Sequence, residues 1–118
     1  MKWNDLLYEY ESNLAFINRQ RKYYSKDYVI GMYRMLRLMV HQMRFECEDL
    51  PEIDYSTNTF FYRGYEYKVE FDDAGQQMYI DLGNTILSGG AFNNSPESEW
   101  MERLDDILDE KDYPWLVE

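Results

Sequence analysis

The chain has one cysteine, one histidine and three prolines in 118 residues. A single thiol, Cys47, forms no internal disulfide, so the fold does not depend on an oxidising compartment. One histidine, His41, excludes zinc sites built from Cys/His pairs or His-x-x-x-His spacing. Long apolar runs are missing too. The most apolar stretch, Tyr28 to Met43, is broken by Arg34, Arg37 and His41, which excludes an ordinary membrane span. The opening Met-Lys-Trp-Asn-Asp-Leu-Leu-Tyr-Glu meets acids at once, unlike a signal peptide, and a cytoplasmic location is expected. Ser88-Gly89-Gly90-Ala91 lacks the lysine and following helix of a phosphate loop. Asp72-Asp73-Ala74-Gly75 opens like a calcium loop but lacks its later alternating oxygens and terminal glutamate. No cofactor and no metal are expected.

Basic residues are scarce after residue 45. Residues 1–45 carry eight Lys/Arg against four acids, net +4; residues 46–118 carry four against nineteen, net −15. A one-signed surface repels itself and destabilises the compact state, so a chain that keeps one often uses it. Direct binding to DNA, RNA or an anionic membrane is disfavoured, because those ligands need basic patches. The natural partner of an acidic surface is a basic protein: a DNA-binding protein or a nuclease toxin.

At this length one domain, residues 1–118, is expected, with a core large enough to need no staples. Trp3, Leu6, Leu7, Tyr10, Leu14 and Ile17 share one face of a helical period, with Asn4 or Asp5 as caps. A second helix is predicted from Ser25 to about Phe45. It is apolar nearly all round, which predicts a central helix packed on more than one side. Its methionines suit either an adaptable binding groove or core filling, and core filling is the reading taken here. Arg34, Arg37, His41 and Arg44 form a single stripe, read as paired internally with acids from the C-terminal half.

Glu46 to Asp54, containing Pro51, is an acidic link. After it the period changes from 3.6 to 2. Thr59–Tyr62, Tyr65–Phe71, Met78–Leu82 and Thr85–Leu87 read as strands. Turns are predicted at Arg63-Gly64, Asp72–Gly75 and Gly83-Asn84, and a flexible Ser88-Gly89-Gly90 follows. Ser95-Pro96 then opens a helix with Trp100, Leu104, Ile107 and Leu108 inside and Glu102, Asp105, Asp106 and Asp109 outside. The apolar tail Tyr113–Val117 is expected to dock on the sheet or on the first helices. The fold class is therefore α+β: two N-terminal helices, an antiparallel three- to four-stranded meander and a C-terminal acidic helix.

No constellation carries catalysis. His41 and Cys47 fall on different helix faces, a poor geometry for a nucleophile and its base. Nineteen acids offer so many carboxylate pairs that none is informative. The chain is expected not to be an enzyme. What remains is the acidic surface. Carboxylates three or four apart on a helix lie roughly 5–6 Å apart, and alternate strand residues roughly 6–7 Å apart. Glu99, Glu102, Asp106 and Asp109 make one row. Glu66, Glu70, Asp72, Asp73 and Asp81 make a second, with Tyr79 as an aromatic anchor. Tyr62, Tyr65 and Tyr79 are expected to face solvent. Two such rows on a rigid frame present a duplex-like field to a basic cleft.

The whole-chain pattern is one acidic domain with helices first. Tyr-Glu-Tyr-Lys-Val-Glu-Phe-Asp-Asp over 65–73 follows, then Glu-Ser-Glu-Trp-Met-Glu-Arg-Leu-Asp-Asp over 97–106. It resembles the small acidic DNA-mimic proteins of bacteria and phages, among them one that binds the histone-like protein HU. It also resembles the immunity proteins that block nuclease toxins. Neither group has a catalytic motif to transfer. The resemblance implies a non-enzymatic inhibitor of a DNA-binding protein, or alternatively an immunity protein that neutralises a cognate toxin.

Overall fold

The computed structural model describes residues 1–75, 77–89 and 96–117. The elements are α1 (Trp3–Gln20), α2 (Lys26–Arg44), β1 (Thr59–Tyr62), β2 (Tyr65–Lys68), β3 (Glu70–Phe71), β4 (Met78–Asp81), β5 (Ile86–Ser88) and α3 (Pro96–Asp112), with a 3-10 turn at Pro114–Leu116. Two N-terminal helices, short antiparallel strands and a C-terminal helix make an α+β fold. The chain forms two compact units. One joins Met1–Leu50 to Tyr113–Glu118, and the other is Pro51–Asp112.

In the first unit, α1 buries Trp3, Leu6, Tyr10, Leu14 and Ile17, five of the six residues its period predicts, while Leu7 is half-buried. Neither Asn4 nor Asp5 caps it. The N-cap position falls on Lys2, whose side chain makes no cap bond. The acceptor comes from far along the chain: Trp3 N–H donates to Asp49 Oδ1 at 2.7 Å. That bond satisfies one of the open N–H groups of the first turn and places a negative charge at the positive end of the dipole. Asp49→Ala should therefore cost about 1 kcal/mol in urea unfolding of this unit, and Asp49→Asn only part of that.

Helix α2 begins where expected, with Ser25 Oγ accepting from Tyr28 N–H at 3.3 Å. Its predicted central position is overturned. Only Val29, Val40 and Arg44 are buried, while Tyr28, Met35, Leu38 and Met39 stay more than half exposed. The methionines are thus not simply core filler. Val29 packs with Ile17 and Trp115, and Met32, Leu36 and Leu116 close around them. The tail docks on the first helices, with Trp115 Nε1 donating to Asn18 Oδ1 at 2.8 Å and Arg21 lying 4.8 Å over the indole.

The second unit holds two antiparallel sheets, β1-β2 and β3-β4-β5. The run read as one strand over Tyr65–Phe71 is two, because it breaks at Val69, whose N–H turns to the Asn58 carbonyl. The meander therefore has five short strands. Its turns fall where predicted. Arg63 and Gly64 both take positive φ, 49° and 86°, joining Tyr62 directly to its partner Tyr65. This two-residue turn matches the right-handed twist of the strands it joins. Phe60 stacks on Tyr62 at 5.9 Å and meets Trp100 edge-on at 5.8 Å. Trp100, with no exposed surface, also donates from Nε1 to the Ser88 carbonyl at 3.0 Å. One indole thus ties α3 to β1 and β5. The cap expected at Ser95 and the flexible glycine at Gly90 lie outside the described residues.

Candidate functional site

The division into units sharpens the charge asymmetry. Pro51–Asp112 holds fifteen acids against four Lys/Arg, net −11, and the other unit holds eight of each, net zero. The whole net charge of the chain resides in one compact unit.

Not all of that charge faces water. Asp105 is 4% exposed and Asp109 is 0% exposed. Asp109 therefore leaves the predicted surface row, and Asp105 leaves the outer face. The reason is Arg63. Its guanidinium lies 3.1 Å from Asp105 Oδ1 and 3.0 Å from Asp109 Oδ1, and Tyr62 Oη donates to Asp105 at 2.7 Å. The two carboxylates sit four residues apart on α3, one turn of helix, and the β1–β2 hairpin covers that flank. Burial alone lowers the Arg63 pKa; the adjacent Asp109 and Asp105 carboxylates outweigh it and raise it above its ordinary value. Tyr62, expected at the surface, is fully buried as part of this cluster.

The outward row on α3 is Glu99, Glu102, Asp106 and Glu110, all exposed. Their spacing of three, four and four residues keeps them on one face. Eleven residues at 1.5 Å per residue spread the four charges over roughly 17 Å. Glu110 was absent from the row read in the sequence, although the same i+4 rule that links 102 to 106 reaches it. Beside the row lies a shallow pocket of about 230 Å³, lined by Glu99, Glu102, Arg103, Leu87, Ser88 and Trp100.

The meander acids form no single row. Glu66 is exposed on β2 opposite Phe61. Glu70 is half-buried and meets Lys68 Nζ at 4.0 Å. Asp72 and Asp73 sit in the β3–β4 turn, where the Asp72 carbonyl accepts from Gly75 N–H. Asp81 is exposed, but its carboxylate accepts from Gly83 N–H at 2.8 Å and so also holds the β4–β5 turn. Tyr79 is half-buried, paired with Glu70 and Ser88 across the sheet. Tyr65 is 44% exposed, with Lys111 Nζ 5.0 Å over its ring.

The basic stripe of α2 is dispersed. Arg34 is exposed, unlike the buried, internally paired residue expected there. Arg37 donates to Tyr33 Oη at 2.7 Å, and Arg44, 5% exposed, lies 5.5 Å over the Trp3 ring. Aromatic faces hold these two buried or half-buried cations. Cys47 is buried, and burial pushes its thiol up from the ordinary value, away from the thiolate that reactive cysteines need. Among the described residues no group of three or more His, Cys, Asp or Glu is placed to hold a metal ion, and no helix is long and apolar enough to cross a membrane. Comparison with protein-family models, curated proteins and solved structures finds no match.

Proposed function

We propose that the protein is a non-enzymatic DNA mimic of the cytoplasm, whose acidic unit occupies the nucleic-acid-binding surface of a basic protein. The observation that carries this reading is the confinement of the whole net charge to Pro51–Asp112, with Glu99, Glu102, Asp106 and Glu110 aligned on one exposed helix face. A field of one sign on one compact body steers a basic partner and repels nucleic acid. The pairing of Arg63 with two buried acids leaves most of the negative charge on the outside. Glu66, Asp73 and Asp81 add exposed charge from the strands.

Affinity capture from the native cell at low and high salt identifies the partner. The captured protein should be basic and should release duplex DNA when this chain is added. Capture of a single nuclease toxin, inhibited on binding, would favour the immunity role instead. Turnover of a substrate by the purified chain would sink both. With the partner in hand, Glu102→Lys combined with Asp106→Lys should slow association about tenfold at low salt. The difference should shrink toward 0.5 M salt, where the screening length falls to roughly 4–5 Å. Both side chains are exposed, and the reversal relieves like-charge repulsion, so the fold should persist. A folded variant that associates at the native rate across that salt range would remove α3 from the interface and leave the strand acids as candidates.

A further inference from the structure

Helix α2 carries two apolar faces, and among the described residues only one is buried. Val29 and Val40 point into the first unit. On the opposite side Tyr28, Gly31, Met35, Leu38, Gln42 and Phe45 follow one another at intervals of three, four, three, four and three residues. All six are exposed. Alternating steps of three and four define the seam of a coiled coil, where a helix meets another helix side by side. The seam runs roughly 26 Å, at 1.5 Å per residue.

Its exposed area is large for a free surface. Tyr28, Met35, Leu38 and Phe45 are 53%, 60%, 51% and 70% exposed, and the flanking Met39 and Phe16 are 53% and 49% exposed. At about 200 Å² for a large side chain, these six hold roughly 650 Å² of open apolar surface. A monomer usually leaves a few hundred Å² in one patch, and a standard interface takes about 800 Å² from each partner. Between this face and α1 runs an apolar groove of about 600 Å³ that includes Phe16, Tyr28 and Met35.

Gly31 is a second, independent sign. Glycine inside a helix is the least favourable residue after proline. Among the described residues nothing explains it, because a Cβ at Gly31 would meet no atom within 4 Å. A glycine on a seam admits the close approach of another backbone or a long side chain.

We infer that α2 pairs with α2 of a second copy of this chain, antiparallel, along the seam from Tyr28 to Phe45. The seam is self-complementary in that direction and not in the other. Antiparallel, Tyr28 meets the partner's Phe45, Met35 meets the partner's Leu38, and Gly31 receives the partner's Gln42. A small residue faces a long one, and aromatics face each other. A parallel pair in register sets Gly31 against Gly31 and leaves a hole, and it aligns the two helix dipoles. The antiparallel pair also obeys a two-fold axis, so each half of the seam serves twice. This face belongs to the electrically neutral unit, so the inference stands apart from the acidic-surface reading.

Sedimentation equilibrium of the full chain at about 10–100 μM tests it. The expected species is a dimer of the 14.4 kDa chain. Met35→Glu with Leu38→Glu should raise its dissociation constant at least a hundredfold while the far-UV circular dichroism stays unchanged, since both residues are exposed in the single chain. A native chain that is monomeric at 100 μM, or a double variant that dimerises as tightly as the native chain, would overturn the inference. Direction is read by cross-linking in a Cys47→Ser background. An equimolar mixture of Tyr28→Cys and Phe45→Cys proteins should form the mixed disulfide, and neither protein alone should cross-link. Efficient self-cross-linking of Tyr28→Cys would overturn the antiparallel register.

Discussion

Replacing Arg63 with alanine should destabilise the Pro51–Asp112 unit by about 3–5 kcal/mol, the usual result of removing one partner from a buried ion pair. The guanidinium has two carboxylates within 3.1 Å, one of them fully buried. Without it, Asp105 and Asp109 sit side by side in a medium that solvates charge poorly, with the Tyr62 hydroxyl as the hydrogen-bond donor seen to reach Asp105. Arg63→Lys should recover only part of the loss, since the ammonium is more strongly hydrated and costs more to bury than a guanidinium, and its three donors replace five. The converse experiment is to remove all three charges. Arg63→Met with Asp105→Leu, Asp109→Leu and Tyr62→Phe, the last so that no buried hydroxyl is stranded, should be near neutral in stability, because the desolvation cost disappears with the attraction. Urea unfolding followed by circular dichroism measures each. A single Arg63→Ala variant within 1 kcal/mol of the native chain would show that the cluster is not holding the hairpin to α3.

Trp100→Ala should cost about as much, roughly 3–5 kcal/mol. The indole has no exposed surface, lies edge-on against Phe60 and bonds the Ser88 carbonyl. Truncation opens a cavity between β1, β5 and α3 and removes the donor to that carbonyl. Trp100→Phe keeps most of the volume and loses mainly the bond, so its cost should be about 1–2 kcal/mol. The variant is also a reporter. Trp3 and Trp115 belong to the other unit, so Trp100→Phe leaves indole fluorescence there alone. Comparing its fluorescence transition with the circular dichroism transition shows whether the two units melt together. Equal stability of Trp100→Ala and the native chain would contradict the packing described.

Local patterns follow directly from the sequence. The five inward residues of α1, the start of α2 at Ser25 and the three strand turns follow from period and turn chemistry. These are short-range rules, and short-range rules fixed them. The misreadings share one cause: an apolar or charged face does not state what covers it. Apolar residues nearly all round α2 predict a central helix, yet Tyr28, Met35, Leu38 and Met39 meet solvent. Asp109 falls in line with Glu102 and Asp106, which predicts exposure, yet a hairpin more than forty residues earlier lies over it. Local sequence offers Asn4 or Asp5 as the cap of α1, yet Asp49 supplies the acceptor from 46 residues away. The acidic row itself was visible in the sequence, and only its last member changed, from Asp109 to Glu110.

The seat of Trp115 bears on how the chain emerges during synthesis. Its indole fills the space beside Ile17 and Val29 and is tied to Asn18, 97 positions earlier. The acidic unit Pro51–Asp112 lies between them in the chain, so it is made before the residue that closes the first unit. Bringing the two ends of so long a stretch together costs about 4 kcal/mol in loop-closure entropy. Until residues 113–117 dock, the gap beside Ile17 and Val29 stays open to water, so the α1–α2 unit is completed only by a segment that follows the acidic unit in the chain.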